Sequence, residues 1–260
     1  MFNTIRAVIS DMDGVLWTGD TPLPGLGAFF DLLRARSLPF ALATNNSSKS
    51  PQDYVHKFER LGIPGITASQ ILTSGTTTIS YLRAHYPTGA PMHILGGDGL
   101  RQVVQDAGYI LADKDALAVI VGLDPQLTYE KLKRAALLIR QGAAFIATNV
   151  DATIPIPEGL APGAGSLVAA LQTATETEPL IMGKPYAPMF EAALRLLGTA
   201  PHETLMIGDR LNTDIEGARR LGLRTALVLT GVATRDAAEA SQYPPDQIYA
   251  DLDAMVQDWP

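Results

Sequence analysis

The sequence predicts an α/β protein in which amphipathic helices cover parallel sheets and one domain is inserted into another. Three observations carry this expectation. Short apolar runs rich in β-branched residues recur along the chain. Between them lie stretches whose apolar residues fall three and four apart, the spacing of a helix with one buried face. Two punctuated regions, polar residues 73–78 and the Thr- and Glu-rich residues 173–179, mark where the chain enters and leaves the inserted piece.

Strands are predicted at residues 5–10, 39–44, 92–95, 117–121, 144–148, 180–182, 204–207 and 225–229. Helices are predicted at 25–36, 51–61, 128–140, 188–197 and 212–221, often opening with proline or a capping residue and closing near glycine. Cuts near residues 79 and 180 give a core of 1–78 with 181–260 and an insert of 79–180. The insert has its own strands and helices, enough to bury a small core. One tripeptide, Ala-Thr-Asn, ends two of the predicted strands, at 43–45 and 147–149.

Composition removes whole classes of chemistry. The 260 residues include no cysteine, which excludes disulfides, thiolate metal sites and thiol nucleophiles and leaves oxygen or imidazole ligands for any metal. The four histidines, His56, His85, His93 and His202, lack ligand spacing and read as structural or surface groups. Against 27 Asp and Glu stand 20 Lys and Arg, a formal charge of −7. Nucleic-acid affinity comes mainly from basic side chains displacing counterions, so a small ligand is expected and a nucleic acid is not. The N-terminal apolar run is too short for a secretory or membrane-spanning segment, and none follows, so the expected address is the cytoplasm. No complete G-x-S-x-G, G-x-G-x-x-G or G-x-x-x-x-G-K-[ST] string occurs, and Gly163-Ala164-Gly165-Ser166 reads as a helix start.

Carboxylates at strand ends carry the candidate chemistry. Asp11-Met12-Asp13-Gly14 follows the apolar Ala7-Val8-Ile9 run, at the carboxyl edge where open α/β sheets bind ligands. Asp209 ends a second strand, with Asp214 five residues on. If those strands are neighbours, Asp11, Asp13 and Asp209 converge, and three oxygen donors without His or Cys suit Mg²⁺. Asp214 would then stand behind the ligands and orient a metal-bound water. The plain alternative is that Asp209 and Asp214 cap the following helix. The pairs Asp113/Asp115 and Asp251/Asp253 lack a following glycine and read as solvated turns.

Two further segments are candidates for holding an anion. Thr44-Asn45-Asn46-Ser47-Ser48 presents hydroxyl, amide and backbone N–H donors at another strand end, unless it is only a solvated capping turn. Lys184, between Gly183 and Pro185, follows a strand one step before a helix, extended because Pro185 disfavours the helical conformation there. Together these residues could attack a phosphate monoester. Asp11 would form an aspartyl-phosphate while Mg²⁺ and Lys184 offset the phosphoryl charge. Asp13 would protonate the leaving oxygen and later activate water.

In this order Asp11-Met12-Asp13-Gly14-Val15, Thr44-Asn45-Asn46-Ser47, Gly183-Lys184-Pro185 and the segment from Gly208-Asp209 to Asp214 resemble the four motifs of the haloacid dehalogenase-like phosphatases. Residues 17–25, Ala147-Thr148-Asn149-Val150-Asp151 and Pro162-Gly163-Ala164-Gly165-Ser166 are similar to the NagD-like, or 4-nitrophenyl phosphatase, subfamily. The resemblance implies a Rossmann-like parallel-sheet core with a mobile α/β cap inserted between the second and third motifs. It also implies Asp11 as nucleophile and metal ligand, Asp13 as acid and base with its backbone carbonyl on the metal, and Asp209 as the remaining carboxylate ligand. Thr44, Asn45 and Lys184 would bind the phosphoryl group, with Asn46 beside them. The substrate would be a small phosphorylated metabolite whose remainder meets Asn149, Asp151 and loop 162–165, and the cap would form a homodimer. Two alternatives stand beside hydrolysis: a phosphotransferase or mutase of the same fold, and a non-catalytic protein that binds a phosphorylated metabolite.

Overall fold

The structure is a computed structural model that describes residues 2–47, 49–156 and 158–259; Ser48, named above with the candidate anion-holding segment, lies outside them. The chain forms two compact units. Met1–Thr44, Pro51–Leu72 and Lys184–Pro260 make the first, and Asn45–Ser50 with Thr73–Gly183 make the second.

A six-stranded sheet organises the first unit, in the order Gln247–Tyr249, Arg224–Val228, Thr204–Gly208, Ala7–Ser10, Phe40–Thr44 and Ile71–Thr73. The last strand ends where the chain passes into the second unit. Pairing is parallel across the first five strands, with Ile9 opposite Met206 on one side and Ala41 on the other. Every residue of Ala7–Ser10 is buried, as a central strand covered on both faces requires. Successive side chains point to opposite faces. Val8, Leu42 and Leu205 therefore pack with Phe29, Phe30 and Phe58, while Ile9, Ala41 and Met206 pack with Met189, Phe190 and Ala193. Helix Leu26–Ala35 buries Leu26, Phe29, Phe30 and Leu33, one stripe at helical spacing. Burying each such large side chain stabilises the fold by roughly 1.5–3 kcal/mol.

The second unit has its own five-stranded parallel sheet, ordered Leu180–Ile181, Ala144–Ala147, Ala118–Val121, Pro91–Leu95 and Ile110–Leu111. Val119, Val121 and Ala147 pack with Leu138 and Leu171 on one face. Ile94, Ile120 and Ile146 pack with Ile79, Leu82 and Leu100 on the other. An antiparallel hairpin, Thr153–Ile156 with Gly159–Pro162, completes the unit.

Several elements differ from the sequence expectation. Residues 73–78 open helix Ser74–His85: the Thr73 side chain accepts from the Thr76 N–H at 3.0 Å, and the Thr73 N–H donates to Thr76 Oγ1 at 2.9 Å. This reciprocal cap, with Ser74, Thr77 and Thr78 buried, overrides the poor helix propensity of a threonine run. Residues 173–175 likewise belong to helix Ala164–Thr175, which ends at Glu176 with φ +57°. The helix expected at 212–221 is a π-helical turn, Leu211–Ile215, followed by Glu216–Arg220. Asp251 caps helix Leu252–Asp258 through the Ala254 N–H at 2.8 Å, and Asp113 pairs with Arg134 at 2.6 Å, so neither is only a solvated turn. Among the described residues no helix is long and apolar enough to cross a membrane.

Candidate active site

Parallel register brings the ends of Ala7–Ser10 and Thr204–Gly208 together, so Asp11 and Asp209 leave the sheet from adjacent strands. The Asp11 N–H donates to the Ile207 carbonyl at 2.8 Å, which extends the ladder by one step. On the other side of Ala7–Ser10, strand Phe40–Thr44 ends in a buried Thr44. Lys184 binds these ends together. Its ammonium donates to Asp11 Oδ1 at 2.7 Å and to the Ala43 carbonyl at 3.0 Å, and it forms an ion pair with Asp214 Oδ1 at 2.7 Å. The peptide bond from Lys184 to Pro185 is cis.

Asp11, Asp209 and Asp214 are all buried, and each offers a carboxylate oxygen within 4.8 Å of the others. Asp214 reaches this group because the π-helical turn folds its side chain back, where Oδ2 accepts from the Arg210 N–H at 3.1 Å. Asp209 Oδ2 accepts from the Val232 N–H at 2.9 Å, whereas Oδ1 is buried with no hydrogen-bond partner among the described residues. With all three carboxylates ionised, one ammonium leaves two negative charges uncompensated in a desolvated space.

The proton affinities reflect that imbalance. Burial pushes Asp11 well above the ordinary carboxylate range; Asp214 and Asp209 push the same way, against the attraction of Lys184. Burial and then Asp214 raise Asp209 to about 6, despite the Val232 N–H. For Lys184 burial acts to lower the value, but Asp11 and Asp214 outweigh it and hold the ammonium above its usual range. An orphaned buried carboxylate oxygen, an excess of negative charge and an all-oxygen donor set fit a hard divalent cation.

The sequence predicts that Asp11, Asp13 and Asp209 converge, with Asp214 behind them. The side-chain group contains Asp214 instead of Asp13. Asp13 is exposed, and its Oδ1 accepts from the Trp17 indole Nε1 at 2.9 Å, so its side chain stands outside the buried carboxylate group.

Close approach dictates the neighbouring glycines. Gly14 has φ +86°, and a Cβ there would lie 2.5 Å from Asp209 Oδ2. A Cβ on Gly231 would also collide with the Asp209 carboxylate. The Thr230 hydroxyl donates to the Gly14 carbonyl at 2.6 Å, so loop 230–232 closes over Asp209. Sequence reasoning missed this loop; its signal was a glycine just past a strand end.

Asn45 and Asn46 belong to the second unit. There the Asn45 carbonyl accepts from Ser74 Oγ at 2.6 Å and from Asn149 Nδ2 at 2.9 Å. Asn45 Nδ2 donates to Asp151 Oδ1 at 3.2 Å, and the Asp151 N–H donates to Asn149 Oδ1 at 3.1 Å. The two residues singled out after the second Ala-Thr pair thus meet the amide that follows the first. Asn46 is half-buried beside them in the chain.

Comparison with known proteins identifies relatives over the whole length. The model of the family described as haloacid dehalogenase-like hydrolase matches residues 8–110, and one described as HAD-hydrolase-like matches residues 181–255. An acid sugar phosphatase of Staphylococcus aureus is 34% identical over 252 residues, 96% of each chain. The crystal structure of a 4-nitrophenylphosphatase from Thermotoga maritima is similar with a TM-score of 0.93 and 33% identity, covering 100% of this chain and 99% of that one. A glycerol phosphate phosphatase from Mycobacterium tuberculosis, solved in complex with magnesium, is similar with a TM-score of 0.88 and 34% identity over 98% of this chain and 78% of that one.

Proposed function

The chain belongs to the haloacid dehalogenase-like hydrolases, as a phosphatase with an inserted α/β cap, and from that membership we propose that it hydrolyses small phosphate monoesters through a phosphoryl group carried on Asp11. Sugar phosphates and 4-nitrophenyl phosphate are the substrates that the similar proteins suggest. The observation that supports the reading best is the buried ion-pair chain from Asp11 through Lys184 to Asp214, with Asp209 beside it.

An Asp11 oxygen attacks phosphorus while the bond to the ester oxygen breaks, and Asp13 gives that oxygen its proton as the alcohol departs. Asp13, now a carboxylate, takes a proton from the water that attacks the aspartyl-phosphate. Phosphate leaves and Asp11 is regenerated. Lys184 keeps a positive charge beside Asp11, which lowers the repulsion between a carboxylate and a phosphoryl dianion. Thr44, Asn45 and Asn46 supply hydroxyl and amide donors to the phosphoryl oxygens. Asp11, Asp209 and the Asp13 carbonyl would hold Mg²⁺, with Asp214 alongside, and the bound ion supplies charge neutralisation on the phosphoryl oxygens.

In the same reading, the unit containing residues 73–183 acts as the cap, Asn149 and Asp151 face the rest of a small metabolite, and two chains pair through their caps in the cytoplasm. The test is phosphate release from sugar phosphates, nucleoside monophosphates, phosphoglycolate and 4-nitrophenyl phosphate, with Mg²⁺ and with a chelator. Mg²⁺-dependent release that disappears in Asp11→Asn is the expected result. Undiminished release by Asp11→Asn rejects the nucleophile, and a phosphorylated acceptor in place of free phosphate makes the protein a transferase.

A further inference from the structure

Trp17 is fully buried, and the only polar atom of its side chain meets an exposed carboxylate. Indole Nε1 donates to Asp13 Oδ1 at 2.9 Å. The turn between the two residues is closed by the Gly14 N–H on the Trp17 carbonyl at 2.8 Å and the Leu16 N–H on the Met12 carbonyl at 2.8 Å. The ring itself is clamped. Phe58 packs edge-on with ring centroids 4.9 Å apart, and Tyr54 stacks nearly parallel at 6.4 Å. Lys57 Nζ lies 4.0 Å from the ring centroid, held there by a hydrogen bond of 2.6 Å to the Gly19 carbonyl.

An indole nitrogen can donate and cannot accept. While the contact lasts, Asp13 Oδ1 is therefore an acceptor, and any proton on this carboxyl group sits on Oδ2. We propose that Trp17 is a positioning residue that fixes Asp13 Oδ1 and so makes Oδ2 the atom that delivers a proton to the leaving oxygen and later takes one from water. The inference rests on the reading of Asp13 as acid and base. A rigid ring is suited to the task, because a carboxylate on an exposed loop otherwise samples several rotamers and offers either oxygen.

The need for a proton depends on the leaving group. 4-Nitrophenolate departs readily as an anion, whereas unsubstituted phenolate gains more from protonation. The ratio of kcat/KM for 4-nitrophenyl phosphate to that for phenyl phosphate, measured on one Mg²⁺-loaded sample, is independent of the folded fraction and covers only steps up to the first phosphoryl transfer. Trp17→Phe should lower kcat/KM for phenyl phosphate by roughly 10-fold or more and for 4-nitrophenyl phosphate by less than about 3-fold. Asp13→Asn should show the same split, larger. Lys57→Met, which unloads the ring and keeps the N–H, should lower the melting temperature and leave the ratio unchanged. If Trp17→Phe does not fold, Trp17→Tyr, which also lacks an N–H there, should show the split. Equal losses on both substrates in the Trp17 variant, or the same split in Lys57→Met, overturn the positioning role. No split in Asp13→Asn instead removes the acid role on which the inference rests.

Discussion

Two strands of this molecule run out into the same three residues, Ala43-Thr44-Asn45 at the end of Phe40–Thr44 and Ala147-Thr148-Asn149 at the end of Ala144–Ala147. Both lie in parallel sheets with the threonine buried. The strand beside Phe40–Thr44 ends in Asp11, and Lys184 donates to the carbonyl of Ala43. The strand beside Ala144–Ala147 ends in Gly122, whose Cβ, if it had one, would lie 3.2 Å from Thr148 Oγ1. That Thr148 hydroxyl is buried with no partner among the described residues. The difference teaches that a strand-end tripeptide supplies donors, while the residues ending its neighbours decide whether charge collects there.

Removing the cation should have the largest effect on this contrast. Lys184→Met leaves Asp11 and Asp214 buried without a counter-charge, and loss of one partner from such a group costs about 3–5 kcal/mol. Urea unfolding should show a loss of that order, and turnover should fall on the order of 10³-fold. Unchanged stability would mean that the ion-pair chain does not hold the strand ends together.

The two threonines allow a direct comparison of function. Thr44→Val should lower kcat/KM by roughly 10- to 100-fold, the scale of one lost phosphoryl donor. Equal losses from Thr44→Val and Thr148→Val would erase the distinction between the two strand ends.

A smaller effect follows from Asp209. Its folded-state value of about 6 lies above the ordinary 3.8, so the folded protein binds more protons than the unfolded chain between those limits. Stability of the metal-free protein from this group is therefore full below about pH 4 and is lost as pH rises through about 6. Mg²⁺ requires the charged carboxylates, so it should raise the melting temperature more at about pH 7.5 than at about pH 5. An equal rise at both pH values would contradict a carboxylate site. Thr148→Val should do least: stability is expected to change by zero to about 1 kcal/mol in the stabilising direction, since it deletes an unsatisfied buried hydroxyl.

Much of the first unit is legible in the sequence because its signals are local. Ala7-Val8-Ile9 before Asp11-Met12-Asp13-Gly14 marks a buried strand and an acidic exit, and parallel pairing with Thr204–Gly208 sets Asp209 beside it. Lys184 is legible by its place between a strand and a helix. The direct pairing of Asp214 with Lys184 is not, because it depends on a π-helical turn that has no distinct pattern within 212–221. The orientation of Asp13 depends on an indole four residues away that is packed against Tyr54 and Phe58. The Thr73–Thr76 cap shows a further limit: the polar run does lie where the chain passes into the second unit, but that it also starts a helix depends on its hydroxyls finding partners.

The central claim is that the phosphoryl group rests on Asp11 during turnover. Borohydride trapping during hydrolysis of 4-nitrophenyl phosphate, followed by peptide mass spectrometry, reads this directly, since an acyl phosphate is reduced where a free carboxylate is not. The account predicts reduction at Asp11, dependent on substrate and absent in Asp11→Asn. Reduction at another carboxylate, or none while phosphate is released at the full rate, would contradict it.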